Sequence, residues 1–398
     1  MKTLKFELKK FLSSKRNKYL LAIISLLIIG YGSYQTLYQV NTAKQSNIQA
    51  LVEMASQNIQ NTKQSLTTME SSLKAATTTS EKDGLLASES SSKKDLVIYE
   101  NQLNAAKKKD INTFYRLQNQ LDKESIEEDA QNSAMANANA SVEKSTEADI
   151  AYYNAVENRH LNFEASSTTQ MAAFGNFQQQ FLPLLSSALF VVLFSAMVAI
   201  TVSTSYEDGE LKIYRFFGFN LQNSIINKVI AGVIISFGWL ILASIIYFII
   251  VGFVNGFGSW NYPAYLFTQT SNDLIVNNPT ISNGVVDAVS ILYLLPVILF
   301  IASLGALVSV ISKRSLVVIG VIAILVLGYS MISSVPWVKP LAKFIPMSYF
   351  DPRNLLNNPS NLAGTASIWV GLVYLLVISI IFLAVAYVLV GRQKSRRI

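Results

Sequence analysis

Long apolar runs alternate with polar connections along the chain, and six of these runs reach the length needed to cross a lipid bilayer. A membrane-spanning helix needs about 20 consecutive, mainly apolar residues. The six predicted transmembrane helices, TM1 to TM6, cover residues 19–38, 181–204, 229–254, 289–311, 316–332 and 368–390. The pattern therefore predicts an all-α, polytopic membrane protein with six transmembrane helices.

The first 18 residues predict an amphipathic helix that lies along the inner membrane surface. Its apolar face consists of Leu4, Leu8, Phe11 and Leu12. Basic residues occupy the opposite face, and Glu7 is the lone acid. A basic amphipathic helix of this kind binds the anionic headgroup region. A simple positive-inside anchor explains the same pattern equally well.

The polar stretch 39–180 predicts a helical, coiled-coil-like domain outside the membrane. Apolar residues recur every seven positions, at Val52, Ile59, Leu66 and Leu73. Such a repeat is typical of a helix that packs against a partner helix, and a second apolar seam covers 96–121. We therefore expect an antiparallel helical hairpin. Because the apolar seam is thin, an extended disordered loop is the alternative.

Composition supports a membrane protein and indicates its orientation. The chain is 51% apolar and 14% charged, whereas soluble domains carry about a quarter charged residues. The net charge of +7 is concentrated in short flanks of the apolar runs, which indicates orientation and anionic headgroups rather than nucleic acid. The expected cytoplasmic parts are 1–18, 205–228, 312–315 and 391–398. The expected outer parts are 39–180, 255–288 and 333–367, the last being external or re-entrant.

The chain carries no sequence motif for nucleotide binding, hydrolysis or metal binding. It lacks G-x-x-x-x-G-K-[ST], H-E-x-x-H and G-x-S-x-G, and it has no cysteine for a disulfide or a thiolate metal site. His160, the only histidine, lies in the polar domain and is interpreted as a surface residue. The apolar runs are nearly free of ionisable residues, which argues against transport coupled to an ion gradient. We therefore expect no enzymatic activity, cofactor or metal in this chain, and energy supplied by a separate ATPase.

A short charged and aromatic segment separates predicted TM2 from TM3. Residues 205–228 are SYEDGELKIYRFFGFNLQNSIINK, and their apolar spacing favours a brief amphipathic helix on the membrane surface. The E-x-G-[TE]-L-[KR] element of the ABC-2 type permeases, the membrane subunits of ABC exporters, resembles the run Glu207, Gly209, Glu210, Leu211 and Lys212. The P-x-x-Y/F element before that family's last span is similar to Pro346, Tyr349 and Phe350. An ordinary polar loop is the alternative interpretation of 205–228.

The resemblance implies a role for the N-terminal helix and for the segment 205–228. In ABC-2 permeases the segment after the second span forms a coupling helix that the ATPase subunit pushes, and an N-terminal elbow helix helps to dock the ATPase. The candidate ATPase-coupling residues are Glu207, Asp208, Gly209, Glu210, Leu211, Lys212, Arg215 and Phe217. The candidate elbow-helix residues are Leu4, Leu8, Phe11 and Leu12.

The resemblance also implies partners, location and cargo. It implies a type V-like exporter in a bacterial plasma membrane, in which two permease subunits, identical or homologous, each meet one ATPase that binds ATP and Mg. Membrane lipid is a further expected partner, and nucleic acid is not. A large insert after the first span is typical of members that export antimicrobial peptides or drugs, so we expect an amphipathic or hydrophobic cargo. The alternatives are a mechanotransmission or signalling subunit without cargo, and a sodium-extruding permease.

Overall fold

The protein is built mainly from helices. The computed structural model describes residues 2–131, 140–163, 172–210, 214, 216, 220–264, 267–270, 273–276, 281–333, 335–357 and 368–395. The helices are α1 (Lys2–Ser13), α2 (Lys15–Ala75), α3 (Thr79–Lys107), α4 (Ile111–Gln131), α5 (Ala140–Asn158), α6 (Ala173–Asn176), α7 (Leu182–Ser186), α8 (Ala188–Glu207), α9 (Leu221–Asn255), α10 (Asn283–Ser312), α11 (Ser315–Ile332), α12 (Pro352–Asn357) and α13 (Ile368–Ser395). Shorter turns are a π-helical turn at Phe177–Phe181 and 3₁₀ turns at Lys339–Phe344 and Pro346–Tyr349.

Four helices in the described parts of the chain are long and apolar enough to cross a membrane. They are α9, α10, α11 and the part of α13 from Ile368 to Arg392. These helices contain the predicted spans TM3, TM4, TM5 and TM6, and they indicate a membrane protein. A shorter apolar stretch at Asn17–Leu27 lies within α2. The count of six spans stays a prediction.

Helix α2 runs without interruption through the position where the sequence changes from apolar to polar. Its 61 residues include predicted TM1 (19–38) and the first part of the polar stretch 39–180. Backbone hydrogen bonds in a helix form within the chain whatever the surroundings, so a change of side-chain polarity need not end the helix. The boundary between these two predicted parts is therefore a change of composition and not of secondary structure.

The region of predicted TM2 (181–204) is a broken helix rather than a continuous one. The π-helical turn and α7 precede Ser187, whose backbone is extended at φ −61° and ψ 144°. The Ser187 hydroxyl accepts a hydrogen bond from the Phe190 N–H at 3.4 Å and so caps the start of α8. The single predicted helix is thus interrupted at Ser187, and the long helical part is α8.

Helix α10 lies at the centre of the helical bundle and contacts α8, α9, α11 and α13. Most of its side chains are buried, including the bulky Phe300. The helix begins at Asn283, before the predicted start of TM4 at residue 289. Asp287, which the sequence placed in the outer loop 255–288, therefore lies inside α10 and is buried.

Helices α2 to α5 form a separate layer in which each helix packs against the next in chain order. A capping box starts α3, because the Thr78 hydroxyl accepts from the Glu81 N–H and the Glu81 carboxylate accepts from the Thr78 N–H. Ala55 of α2 and Phe114 of α4 are fully buried where these helices meet. Helix α3 packs along α2, but the second apolar seam, 96–121, is divided between α3 and α4. The two-helix hairpin and its coiled-coil character stay predictions.

A short β-hairpin lies between α9 and α10, within the predicted outer loop. Strand β1 (Phe267–Thr270) pairs antiparallel with β2 (Asp273–Val276), and α5 contacts β2. Nearby, the Arg159 guanidinium donates to the Asn261 carbonyl, and the rings of Tyr152 and Tyr262 meet edge to face at 6.3 Å. The polar helical layer is therefore attached to the bundle through this connection as well as through α2.

Candidate functional site

A partly buried cluster of four charged residues and one tyrosine joins α1 to the start of α9. Lys228 of α9 is only 2% exposed, and its Nζ lies 3.1 Å from Glu7 Oε2 of α1 and 3.5 Å from Glu210 Oε2. Lys10 of α1 forms a second ion pair with Glu210. The Tyr214 hydroxyl donates to Glu7 Oε1 at 2.9 Å. We call these five residues (Glu7, Lys10, Glu210, Tyr214 and Lys228) the charge cluster.

The charge cluster is electrically balanced, with two carboxylates against two ammonium groups. A buried ion that loses its partner is strongly destabilising, because its hydration is not restored. The Lys228 Nζ also lies 5.2 Å from the centroid of the Tyr214 ring, a distance at which an aromatic face attracts a cation. Glu7 and Lys228 are separated by 221 positions in the sequence, so the cluster fixes distant parts of the chain to one another.

The surroundings shift the proton affinities of Glu210 and Tyr214 in the charge cluster. Burial alone raises the pKa of Glu210, but the hydrogen bond from Lys10 and the charges of Lys228 and Lys10 outweigh it, so the pKa of Glu210 is lowered from its ordinary value of 4.5. Burial, followed by the hydrogen bond to Glu7, raises the pKa of Tyr214. Glu210 is therefore an ionised acceptor and Tyr214 a neutral donor near neutral pH.

A second carboxylate in the same region holds the N-terminus of α11. Glu207, the last residue of α8, accepts a hydrogen bond from the Ser315 N–H through Oε1 at 2.6 Å and one from the Ser315 hydroxyl through Oε2 at 2.8 Å. Ser203 donates to the Ser315 hydroxyl at 2.8 Å. Ser315 is the first residue of α11, and a negative charge at a helix N-terminus is favourable.

Gly209 lies in the chain between these two carboxylates, after the end of α8. Asp208 is exposed and ends α8, its N–H donating to the Thr204 carbonyl at 2.7 Å. Gly209 has φ +71°, a left-handed conformation that glycine adopts without the steric cost of a Cβ atom. As a result Glu207 contacts α11 while Glu210 contacts α1 and α9. We call the connection between α8 and α9, residues 208–220, the inner turn.

The structure places four of the eight candidate coupling residues, and it brings them to the base of the bundle. These four are Glu207, Asp208, Gly209 and Glu210. The other four candidates, which lie outside the described residues, are Leu211, Lys212, Arg215 and Phe217. The expected segment 205–228 does not stay separate from the membrane helices, because residues 221–228 form the first turns of α9.

The expected elbow-helix residues of α1 divide into two groups. Phe11 is buried and Leu8 packs against the same apolar core, while Leu4 is half-buried. Leu12 is 47% exposed and does not share this contact. The turn from α1 to α2 is fixed by Asn17, whose side-chain Nδ2 donates to the Phe11 carbonyl at 3.2 Å.

A small cavity of about 90 Å³ lies beside the charge cluster at the point where α1, α2, α8 and α9 converge. Glu7, Lys10, Glu210 and Lys228 all line it. Sequence reasoning missed Glu7 and Lys228 as functional candidates. The available signals were a single acid in a basic helix and a lysine at the edge of an apolar run.

Comparison with known families supports the resemblance seen in the sequence. The family model for the ABC-2 family transporter proteins matches residues 19–388, which leaves only α1 and the ends of the chain outside the match. No significant match was found among curated proteins or solved structures. An association with an ABC ATPase is a general property of this family. Since the match extends over nearly the whole chain, the protein belongs to the ABC-2 family of transporter proteins.

Proposed function

We propose that the chain is the permease subunit of an ATP-driven ABC exporter, and that its ATPase engages α1 and the inner turn. The observation that carries this proposal is the charge cluster, which ties both elements to Lys228 of α9. A force applied to either element acts directly on a helix that is long enough to cross the membrane. Family membership supports the ATPase as the source of that force.

In this proposal the chain transmits movement and the partner hydrolyses ATP, with Mg bound in the partner. Two permease subunits, identical or homologous, lie side by side in a bacterial plasma membrane, each with its own ATPase. The termini are cytoplasmic, and α2 to α5 extend outside the cell. The near absence of ionisable side chains from the apolar runs argues against coupling to an ion gradient. The family resemblance favours an amphipathic or hydrophobic cargo, moved outward.

The contacts of the inner turn suggest how the movement divides between two helices. Glu210 is bonded to Lys10 and lies close to Lys228 of α9, whereas Glu207 is bonded to the first residue of α11. Gly209 lies between the two carboxylates in a left-handed conformation. Displacement of the inner turn would therefore shift α9 and α11 together.

Transport by reconstituted protein tests the coupling role. The chain and its ATPase are placed in proteoliposomes, and residues 209–212 are replaced by alanine. We expect transport and permease-stimulated ATP hydrolysis to fall severalfold, while expression and membrane insertion stay normal. Glu127→Ala, at an exposed position on α4, is the matched control and should keep both activities. Wild-type transport and ATP hydrolysis in the 209–212 variant would contradict the proposed coupling.

A second candidate function is mechanotransmission without cargo. The continuous helix α2, which joins the inner surface to the polar helical layer, favours it. The two functions give different results in inverted vesicles. An exporter accumulates cargo inside them when ATP is added, whereas a transmission subunit accumulates none and instead activates an external partner only when α3 to α5 are present.

A further inference from the structure

A partly open, apolar cavity of about 310 Å³ lies between α6, α9 and the first turns of α10. Most of its lining is hydrocarbon. Its aromatic walls are Phe174, Phe177, Phe248 and Trp260. Asp287 is the one residue with an acidic or basic side chain among those that line it. The cavity belongs to the opposite end of α9 from the charge cluster, because its α9 residues lie between Ile241 and Phe248.

Asp287 has no partner for its carboxylate among the described residues. Asp287 is only 6% exposed. Neither Oδ1 nor Oδ2 of its carboxylate has a hydrogen-bond partner among the described residues. No ion pair of Asp287 is found in the described part of the chain either. Burying a carboxylate without a partner is costly. A cation that entered this cavity would remove that cost, because it would supply the missing opposite charge.

The aromatic walls are fixed in position and suit the same kind of ligand. The rings of Phe174 and Trp260 meet edge to face at 5.6 Å, and those of Phe174 and Phe248 lie 4.7 Å apart. The indole of Trp260 packs directly over Gly284, where an added Cβ would come within 2.1 Å of the ring. Aromatic faces attract organic cations, and the attraction strengthens where water is excluded.

We propose that this cavity binds a small amphipathic organic cation, whose ammonium head pairs with Asp287 and whose apolar body packs against the aromatic walls. The proposal rests on the proposed export function and narrows its cargo class. The volume lies at the lower end of the range of small-molecule pockets, which is about 300–1,000 Å³. It therefore admits a small amphiphile or a single ammonium headgroup rather than a folded peptide.

Binding to the purified full-length chain in a nonionic detergent tests this site without the ATPase. The probes are benzyltrimethylammonium and its uncharged isostere neopentylbenzene, which differ in one atom and one charge. Binding is followed by the fluorescence of Trp260 in a background where Trp239, Trp337 and Trp369 are replaced by phenylalanine. Because no ATPase is present, loss of binding here and loss of coupling in the 209–212 variant are separate results.

We expect Asp287→Asn to weaken binding of benzyltrimethylammonium at least tenfold and to leave binding of neopentylbenzene within twofold. Retained binding of the neutral probe shows that the variant is folded. Asp83→Asn removes the same charge from the exposed surface of α3 and should change neither affinity. Phe174→Leu keeps the carboxylate but removes one aromatic wall. It should therefore weaken binding of the cation more than binding of the neutral probe.

The proposal is overturned if Asp287→Asn binds the cation as tightly as the unsubstituted protein, or if the unsubstituted protein does not prefer the cation to its isostere. Added phosphatidylethanolamine distinguishes two sources of the ammonium group. Competition with the probe assigns the site to a lipid headgroup, and the absence of competition assigns it to a soluble cargo. Both results support a site for an organic cation.

Discussion

Lys228 and Glu7 form an ion pair that is almost completely removed from solvent, at 3.1 Å between Nζ and Oε2. Each of them also contacts the inner turn, Lys228 through Glu210 and Glu7 through Tyr214. Such a network gains little over an apolar core of the same shape, but breaking it is expensive because one charge is left buried alone. At this scale the base of the bundle therefore depends on charge balance more than on any single hydrogen bond.

The first prediction concerns that balance. Lys228→Met should lower the free energy of unfolding in mild detergent by about 3–5 kcal/mol, because Glu7 is left buried without its cation. The double variant Glu7→Gln/Lys228→Met removes both charges and should recover most of the loss. Denaturant titration of both variants measures these differences. Equal destabilisation in the single and double variants would show that packing, and not charge, holds α1 in place.

The second prediction concerns acid pH. The pKa of Glu210 is lowered in the folded chain from its ordinary value of 4.5. Its ionised form therefore stabilises the fold above pH 4.5, and this contribution is lost as the pH falls through the lower pKa of the folded state. Thermal unfolding between about pH 6 and pH 3 should show a decrease in stability that is smaller in Glu210→Gln. An identical pH profile in the two proteins would be the contrary result.

At the scale of elements, Glu207 links the end of α8 to α11 by the two hydrogen bonds that it accepts from Ser315, beside the one that Ser203 donates. Glu207 acts as a capping acceptor supplied by another helix, since the residue before α11, Arg314, makes no side-chain cap. The junction thus joins the end of α8 to the beginning of α11 through side-chain hydrogen bonds, although Glu207 and Ser315 are 108 positions apart in the sequence.

The third prediction follows from this junction. Glu207→Gln should weaken the N-terminus of α11 by about 1 kcal/mol, because the negative charge that the helix dipole favours is removed. Hydrogen exchange of the first turn of α11 should become severalfold faster. Asp208→Asn, which alters the adjacent exposed carboxylate, is the control and should leave this exchange unchanged. Equal acceleration in both variants would assign the effect to net charge.

Local features of the sequence predict the helical elements better than the contacts between them. Apolar runs identify α9, α10, α11 and α13, because hydropathy belongs to each run by itself. The pairing of Glu7 with Lys228 could not be predicted, since nothing in either neighbourhood specifies a partner 221 positions away. The continuity of α2 and the burial of Asp287 were missed because both lie where the composition changes. In both places the helix extends beyond the apolar run from which the transmembrane span was predicted.

At the scale of the whole molecule, α2 is the backbone connection between the base of the bundle, next to α1, and the polar helical layer. The layer is attached a second time where Arg159 donates to the Asn261 carbonyl. Trp260, the residue before that carbonyl, is a wall of the cavity at Asp287. The polar helical layer, the apolar cavity and the base of the bundle are thus parts of one connected framework.

The fourth prediction tests the contribution of α2 to this framework. Ala43→Pro removes one backbone hydrogen bond within the helix and should kink it, at a cost of about 3 kcal/mol. In the complex with the ATPase, addition of ATP should change hydrogen exchange in α3 of the unsubstituted chain, and this response should be reduced in Ala43→Pro. Ala43→Ser is the control. An undiminished response in the proline variant would mean that movement reaches α3 by the other attachment.

The dimensions of α2 have a mechanical consequence. A helix of 61 residues is about 90 Å long at 1.5 Å per residue, roughly three times the thickness of the hydrocarbon core. A tilt of about 5° about its inner end displaces the far tip by about 8 Å. A small change in the tilt of α2 at one end therefore becomes a displacement of several ångströms at its other end. A pair of fluorophores, one near Ala75 and one at the membrane surface, would measure this displacement.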